Sequence, residues 1–340
     1  MINKIKQQDK LTDSMIREGD PENILPTAYC EVLFSPQRDR WLGAIRDKLK
    51  SMDEDKVFDT VDLWYALSIV PHENILSTKS VLVRKPEHYK AIIVTRGFKQ
   101  IHGINYDKKF ARTPKFNALW LLFSIVLLKQ WPIRTFDVKV AFLHSLINKR
   151  VFFWCPQGIN IPTLKVLALK KALYGTKQAS WCWWLHLKEI LSLIGFTSNN
   201  KDPSTYTLIK GTDKAILWIH VDNGEIVASL KELMEEITHE LNKELKVKWD
   251  ESISSLVAIR IKKLLQGYKF SQTYLIDKLS QINPSNVMSK SPLPMDCKLE
   301  SNLESNMNKP NLKTIGMLLY IAQASRPDIA YAFNYLENFQ

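Results

Sequence analysis

The order of apolar and polar positions along the chain predicts an alternation of helices and strands. From Trp41 the apolar residues recur at helical spacing to Leu49, and the apolar run from Ala118 to Leu128 is too short to span a bilayer. That run predicts a buried helix over about 115–130. Shorter apolar runs bounded by turn residues predict strands, at 56–63, 79–85 and 89–98.

The second half of the chain has the same mixture of patterns. Periodic apolar residues predict helices at 230–245 and 273–282, with a strand hairpin between them at 254–272. Residues 1–40 have turn residues and little periodicity, so we expect a partly disordered lead-in there. Short strands mixed with helices predict an α+β fold in which helices back an antiparallel sheet.

Two aspartates stand at the ends of apolar strands. Asp137 follows the strand that begins at Ile133, and the segment ILWIHVDNGEIVAS predicts a hairpin that turns at Gly224 and carries Asp222 near its tip. A single aspartate in such a place more often only ends its strand. Two aspartates that meet in one cleft, however, can hold a pair of Mg²⁺ ions for phosphoryl transfer.

Charge and cysteine content narrow the classes of function. Lys and Arg outnumber Asp and Glu by 47 to 35, and the net charge of +12 is spread along the chain, which suits an extended polyanion. A basic protein with no nucleic-acid partner can have the same composition. The four cysteines lack C-x-x-C spacing, which argues against a zinc site and favours a reducing, intracellular location. No signal peptide or membrane segment is predicted.

Eight segments, in order, resemble the reverse transcriptase of copia-type retrotransposon Pol polyproteins over about residues 41–340. They are YKAIIVTRGFKQIHGINYDKKFA, WPIRTFDVKVAFLHS, VFFWCPQGI, KKALYGTKQASWCWW, GFTSNNKDPSTY, LWIHVDNGEIVA, GYKFSQTYLIDKL and GMLLYIAQASRPDIAYA. The resemblance implies an RNA-directed DNA polymerase, which is a nucleotidyltransferase. Such an enzyme uses an RNA or DNA template-primer, deoxynucleoside triphosphates and two Mg²⁺ ions.

The resemblance also implies a fold and its divisions. The fold is an α+β right-hand polymerase with fingers, palm and thumb, in which helices back an antiparallel palm sheet. After the lead-in, residues 41–130 would be mainly fingers, and residues 131–262 the palm with some fingers elements. Residues 263–340 would contain the end of a primer-grip hairpin and the thumb or connection.

The resemblance places the first metal-binding aspartate of the family on Asp137 and its Tyr-Val-Asp-Asp turn on residues 220–223. Asp137 and Asp222 would then be the metal ligands, while Asn223 stands where the family has a second turn aspartate. An amide keeps one coordinating oxygen but brings no negative charge, so we expect a weakened metal pair and impaired catalysis. His220 replaces the tyrosine and is expected to be a packing residue.

Further candidates follow from the same resemblance, each with a structural alternative. Phe142 would reject a 2′-hydroxyl, or would be an ordinary core residue. Lys177 and Gln178 would touch the incoming nucleotide, or would form a helix-capping turn. Lys248 would donate a proton to the leaving pyrophosphate, or would lie on a solvated helix end.

Several positions depart from the family pattern. Ile92 stands where an arginine is expected to meet the triphosphate, which leaves Lys90 and Arg96 as the basic candidates on that segment. An acid, a proline and an arginine are replaced by Lys108, Arg112 and Trp181. Together these changes predict a degenerate element copy, from which the RNase H, protease and integrase parts are also expected to be missing.

Basic residues cluster between positions 85 and 115, in the part that would form the fingers, next to Tyr89, Tyr106 and Phe110. The members of this basic segment are Lys85, Lys90, Arg96, Lys99, Lys108, Lys109, Arg112 and Lys115. Phosphate contacts interleaved with stacking surfaces suit a template strand, although a solvated basic face has the same pattern.

Three functions can be weighed from the sequence. The first is a copia-type reverse transcriptase domain with impaired catalysis, and the second is a non-catalytic nucleic-acid-binding remnant of one. A hydrolase unrelated to polymerases would need a serine or cysteine nucleophile block beside its histidines, and none is visible. For the first two, the expected location is intracellular, in the cytoplasm, a virus-like particle or the nucleus.

Overall fold

The computed structural model describes residues 25–84, 88–159, 161–282, 289, 291–293 and 312–337. Most of the predicted lead-in, part of the predicted thumb region and Lys85 of the basic segment lie outside the described residues.

The described helices and strands alternate along the chain. The α-helices are α1 (Tyr29–Phe34), α2 (Arg38–Glu54), α3 (Leu63–Leu67), α4 (Phe116–Lys129), α5 (Ala179–Ile194), α6 (Lys231–Glu244), α7 (Thr273–Ile282), α8 (Leu312–Ala324) and α9 (Ala330–Glu337). The strands are β1 (Phe58–Asp62), β2 (Thr78–Arg84), β3 (Tyr89–Thr95), β4 (Ile133–Val138), β5 (Phe152–Phe153), β6 (Lys165–Leu169), β7 (Thr197–Ser198), β8 (Thr205–Lys210), β9 (Asp213–His220), β10 (Asn223–Ala228), β11 (Val247–Asp250), β12 (Ser255–Leu256), β13 (Ile259–Leu264) and β14 (Gly267–Ser271).

Six strands form one antiparallel sheet, in the order β11-β4-β10-β9-β8-β7. Successive side chains of a strand point to opposite faces of its sheet. On one face, Phe136, Leu217 and Ile226 pack with Trp183 of α5 and Ile237 of α6. This arrangement confirms the predicted α+β fold with helices behind an antiparallel sheet.

The opposite face of the six-stranded sheet is also covered. Leu119 and Phe123 of α4 and Ile259 of β13 pack there with Trp218 and Val227. Because both faces are buried, the central strands appear in the sequence as apolar runs rather than as strict alternations. The end of the sheet where β4 finishes and β10 starts stays partly exposed.

Smaller sheets lie beside the large one. The β2–β3 hairpin packs on α2, where Ala91 and Ile93 contact a cluster that includes Trp41 and Ile45. Two three-stranded sheets have the orders β1-β6-β5 and β12-β13-β14. No described helix combines the length and the apolar content that crossing a membrane requires.

Most of the predicted elements are confirmed. The helix expected at 115–130 is α4, and those expected at 230–245 and 273–282 are α6 and α7. Within the predicted lead-in, α1 and the start of α2 are helical.

Two local predictions are wrong. The hairpin at 216–229 turns at Val221 and Asp222, whereas Gly224 lies inside β10. The helix-end alternative for Lys248 fails because α6 ends at Glu244 and Lys248 belongs to β11.

Gly175 lets the loop before α5 approach β3 closely. Its φ is +94°, and a Cβ atom there would lie 2.0 Å from the Thr95 carbonyl oxygen. The Thr95 amide donates to the Tyr174 carbonyl oxygen at 2.9 Å, so this contact joins the β2–β3 hairpin to the loop that leads into α5.

We expect Gly175→Ala to lower the free energy of unfolding by at least about 2 kcal/mol, because the backbone would have to move and its conformation disfavours a side chain. Gly43→Ala is the matched control, since Gly43 lies in α2 with no described neighbour within 4 Å of the added Cβ. Alanine there should stabilise the chain by about 0.5–1 kcal/mol. Urea denaturation measures both changes, and an unaltered Gly175→Ala variant would contradict the close approach.

Candidate active site

One row of polar side chains crosses four strands of the six-stranded sheet. Asp137 on β4 pairs with Asn223 on β10 and with Lys248 on β11, and Asn223 pairs with His220 on β9. Directly opposed residues of antiparallel strands project from the same face of a sheet. The row Lys248–Asp137–Asn223–His220 therefore lies on one face, at the partly exposed end of the sheet, and Lys248 is exposed.

The turn beside this row is held from two sides. His220 and Asn223 are paired, which leaves Val221 and Asp222 as the turn between β9 and β10. Val221 has a φ of +63°, a conformation that costs a β-branched residue of order 1–3 kcal/mol. The Trp183 indole Nε1 of α5 donates to the Val221 carbonyl oxygen at 2.6 Å, and the Val138 amide of β4 donates to the Asp222 carbonyl oxygen at 2.7 Å. These bonds hold Asp222 next to the end of β4, and thus near Asp137.

Gly224 allows β10 to lie this close to β4. A Cβ atom on Gly224 would lie 2.5 Å from the Phe136 ring and 2.8 Å from the Trp218 carbonyl oxygen. The glycine that the sequence places near the turn therefore serves the packing of the strand beside it.

The side chains of Asn223 and Asp222 are joined by a hydrogen bond. Asn223 Nδ2 donates to Asp222 Oδ1 at 2.9 Å. An ionised aspartate at position 223 could not donate this bond, and two carboxylates at such a separation repel each other. The asparagine thus stabilises the turn without a cation, whereas an aspartate would need one to offset the repulsion.

A buried carboxyl group lies in the next row on the same face. Glu225 of β10 pairs with Thr135 and Trp218 and is 0% exposed. Neither carboxyl oxygen has a hydrogen-bond partner among the described residues, and burial raises the pKa of Glu225 to about 8. The group is therefore mainly protonated at pH 7. Glu225 was not predicted as a site residue, although a single charge next to the apolar residues 226–228 is a usable signal.

A family model described as reverse transcriptase (RNA-dependent DNA polymerase) matches residues 55–293, which is more than half of the chain and contains the whole row. The chain belongs to the reverse transcriptase family.

Curated relatives assign this reverse transcriptase to the copia-type retrotransposons, as predicted. The chain is 27% identical to the retrovirus-related Pol polyprotein from transposon RE2 of Arabidopsis thaliana, over 99% of the chain and 23% of that relative. It is also 27% identical to the one from transposon RE1 of the same plant, over 97% of the chain and 22% of the relative. It is 25% identical to the one from transposon TNT 1-94 of Nicotiana tabacum, over 92% of the chain and 25% of the relative. The chain thus spans about a quarter of the length of these relatives.

The predicted nucleotide contacts of this reverse transcriptase domain are engaged in internal bonds. Gln178 is 0% exposed, and its amide accepts from Gln100 Nε2 at 2.9 Å and donates to the Asn105 carbonyl oxygen at 2.8 Å. Lys177 Nζ donates to the Gln100 carbonyl oxygen at 3.1 Å and to the Tyr106 hydroxyl at 3.4 Å. Gln178 precedes α5 without a side-chain capping bond, so its amide joins two loops instead.

Phe142 lies in the core between the sheet and α5. It is 5% exposed, and its ring centroid lies 4.5 Å from that of Tyr174. This is the position of an ordinary core residue, so a contact with a nucleotide sugar would require a rearrangement.

The predicted triphosphate residues lie on a different sheet from the row. Lys90 is part of β3, which pairs with β2, and Arg96 is exposed just after that strand. Ile92 is 9% exposed and lies on the face of β3 opposite to Ala91 and Ile93, which pack into the core. The structure thus brings Asp137 and its row together in the six-stranded sheet, while Lys90 belongs to the β2–β3 hairpin and Arg96 follows it.

The basic segment is exposed over most of its described length. Its exposed members are Arg96, Lys99, Lys108, Lys109, Arg112 and Lys115. Among the aromatic residues expected beside them, Phe110 is 76% exposed, whereas Tyr106 is 6% exposed. Tyr89 packs edge-on against Trp41, with ring centroids 4.4 Å apart. Phe98, which is 70% exposed, was missed.

Two of the departures from the family pattern are in contact. Lys108 Nζ lies 4.9 Å from the centroid of the Trp181 ring. A lysine ammonium over an indole is an attractive cation–π contact. The two replacements therefore form one compatible pair rather than two isolated changes.

Proposed function

We propose that this chain is the RNA-directed DNA polymerase domain of a copia-type retrotransposon, with catalysis impaired at Asn223. The six-stranded sheet would be the core of a palm within residues 131–262, flanked by fingers at 41–130 and by the primer-grip end and thumb at 263–340. The observation that carries the proposal is the row in which Asp137, Asn223 and Lys248 share one face beside the Asp222 turn.

The oxygen donors of Asp137, Asp222 and Asn223 suit a divalent cation, but Asn223 contributes no negative charge. Asp137 and Asp222 offer carboxylates and Asn223 offers an amide oxygen, while Mg²⁺ in such sites is commonly held by one or two carboxylates plus substrate phosphates. Among the described residues, no cluster of three or more His, Cys, Asp or Glu side chains is arranged for a metal ion. When bound, Mg²⁺ supplies activation of the primer hydroxyl and neutralisation of phosphate charge. The missing charge would weaken the binding of a second Mg²⁺ ion most.

Side chains of the row would bind the cation and supply the proton that the reaction needs. Asp137 and Asp222 would hold the cation at the end of the sheet, and the Trp183 bond to the turn would fix the position of Asp222. Lys248 would carry a proton on Nζ for the leaving pyrophosphate, because it is paired with Asp137 in the row and is exposed.

Two features support the impairment of catalysis, and a third indicates relaxed selection. Asn223 removes a negative charge and already donates to Asp222. Ile92 removes the forked donor that would bind the triphosphate. Glu225 is buried in the apolar layer next to the row, and its carboxyl group has no hydrogen-bond partner among the described residues. A polar group left unpaired in a core is destabilising, as expected for a copy under relaxed selection.

The partners of this domain would be an RNA or DNA template-primer and deoxynucleoside triphosphates. Binding of a single-stranded oligonucleotide should weaken by about a hundredfold between 50 and 200 mM salt if roughly five phosphates are contacted. Lys99→Gln combined with Arg112→Gln should reduce the slope of log affinity against log salt by about 1.4.

A matched control for this binding test is Lys50→Gln, because Lys50 lies on α2 and pairs with Glu54 at 3.8 Å. That variant should keep the wild-type slope. Fluorescence anisotropy at several salt concentrations gives both values, and affinity that does not change with salt would contradict the role of the basic segment.

The second candidate function is a non-catalytic nucleic-acid-binding remnant. It is favoured by the exposed basic segment, which persists although the row has lost a charge. The two candidates differ in the Asn223→Asp, Ile92→Arg variant: a polymerase domain should regain primer extension, whereas a remnant should bind the oligonucleotide and extend nothing.

A further inference from the structure

A surface cavity of about 430 Å³ opens beside the basic segment. Its walls include Tyr106, Lys108, Lys109 and Phe110 from that segment and Trp181 from the first turn of α5. Aromatic rings and ammonium groups thus line one opening.

The lysines of the cavity lie over its rings. Lys108 Nζ is 4.9 Å from the Trp181 centroid, and Lys109 Nζ is 4.9 Å from the Phe110 centroid. Phe110 is 76% exposed, so its ring is accessible to a ligand. Asp107 also borders the cavity, but Lys149 offsets its charge at 3.2 Å.

We propose that this cavity binds one unpaired nucleobase of a single-stranded nucleic acid, in contact with the rings of both Phe110 and Trp181, with the neighbouring phosphates at Lys108 and Lys109. The inference rests on the proposed function, since it assumes that the chain binds nucleic acid. It adds a specific stacking site to the phosphate contacts of the basic segment.

The chemistry of the cavity favours this ligand over others. Base stacking on an aromatic ring is stronger than an exposed cation–π contact, so a base can displace a lysine from its ring. The displaced ammonium then pairs with a phosphate. Both the ring and the ammonium therefore still have a binding partner. An acidic peptide would satisfy Lys108 and Lys109 but would leave the rings uncovered, and an apolar ligand would leave the lysines without anions.

The cavity is distinct from the row of Asp137. Trp181 and Trp183 are two positions apart on α5 and therefore lie on nearly opposite sides of that helix. Trp183 faces the sheet and bonds to the Val221 turn, so Trp181 faces away from it. A base held at Trp181 is thus bound outside the candidate active site.

The test compares two labelled strands of eight nucleotides by fluorescence anisotropy on the full chain: an ordinary oligonucleotide and an abasic one of the same length. Phe110→Leu should weaken binding of the ordinary strand by about tenfold and leave the abasic strand unchanged. Lys109→Gln should weaken the binding of both strands. Phe34→Leu is the matched control, since Phe34 is 88% exposed at the end of α1 and outside the cavity wall, and it should change binding of neither strand.

Two outcomes separate this inference from the proposed function. If the wild-type chain binds both strands with salt dependence, and Phe110→Leu and Trp181→Leu change nothing, the stacking site is wrong while nucleic-acid binding stands. If the wild-type chain binds neither strand, both fail. Trp181→Phe should retain the affinity that Trp181→Leu loses, which distinguishes lost stacking from a general loss of structure.

Discussion

Replacing Asn223 with aspartate should make the stability of the chain depend on divalent cations. The wild-type amide donates to Asp222 at 2.9 Å, and an aspartate would put two carboxylates there instead. At roughly 4 Å and an effective dielectric of 20, like charges repel by about 4 kcal/mol, which partial exposure reduces to about 1–3 kcal/mol. The variant should lose this much unfolding free energy in EDTA and regain it with Mg²⁺, since a ligand at a hundred times its Kd contributes about 2.7 kcal/mol.

Thermal unfolding with EDTA, Mg²⁺ or Mn²⁺ measures this effect without any need for catalysis. Asn117→Asp is the matched control, because it makes the same charge change at an exposed position of α4 and should not respond to the cation. Asp222→Asn added to Asn223→Asp should abolish the response. An Asn223→Asp variant that is equally stable with and without Mg²⁺ would contradict the assignment of the site.

Replacing Glu225 with glutamine should stabilise the chain, and more so as the pH rises. Burial raises the pKa of Glu225 from an ordinary 4.5 to about 8, so the folded chain keeps a proton that the unfolded chain releases above about pH 4.5. The wild-type chain therefore loses stability as the pH rises through this interval, by about 1.4 kcal/mol per unit. Glutamine does not titrate, so Glu225→Gln should be more stable than wild type by about 3 kcal/mol at pH 7.

Urea denaturation of both chains at pH 5 and pH 7 measures the difference. The stabilisation by Glu225→Gln should shrink to less than about 1 kcal/mol at pH 5, because pH 5 lies only about half a unit above the pKa of Glu225 in the unfolded chain. Glu232→Gln, at an exposed position of α6, should change stability by less than about 0.5 kcal/mol at either pH. A stabilisation by Glu225→Gln that is the same at both pH values would mean that Glu225 does not titrate as its burial requires.

The periodic segments of the sequence were sufficient to predict most of the elements. Apolar spacing located α4, α6 and α7, because each of these helices buries one side in a core. The register that pairs Asp137 with Asn223 and Lys248 was not predictable from spacing, since it depends on contacts between distant strands. The resemblance to a family supplied the link between those positions.

The errors have physical causes. Gly224 seemed to mark the turn, but its missing side chain is needed against Phe136, and Val221 adopts the left-handed conformation instead. The expected capping bond at Gln178 is absent, because its side-chain amide bonds instead to Gln100 and Asn105, in a loop far away in the sequence. Its contact with a nucleotide stays a prediction. Side-chain partners that are brought together only by the tertiary fold leave no local pattern.

Primer extension tests the central claim most directly. On a poly(A) template with an oligo(dT) primer and Mg²⁺ or Mn²⁺, the wild-type chain should extend slower by orders of magnitude than a variant that carries Asn223→Asp and Ile92→Arg. Metal ions contribute several kcal/mol to such a transition state, and each 1.36 kcal/mol is a factor of ten in rate. Asn223→Asp alone should recover little, because the triphosphate would still lack its arginine. Robust extension by the unmodified chain would contradict the account, since it would mean that Asn223 suffices beside Asp137 and Asp222.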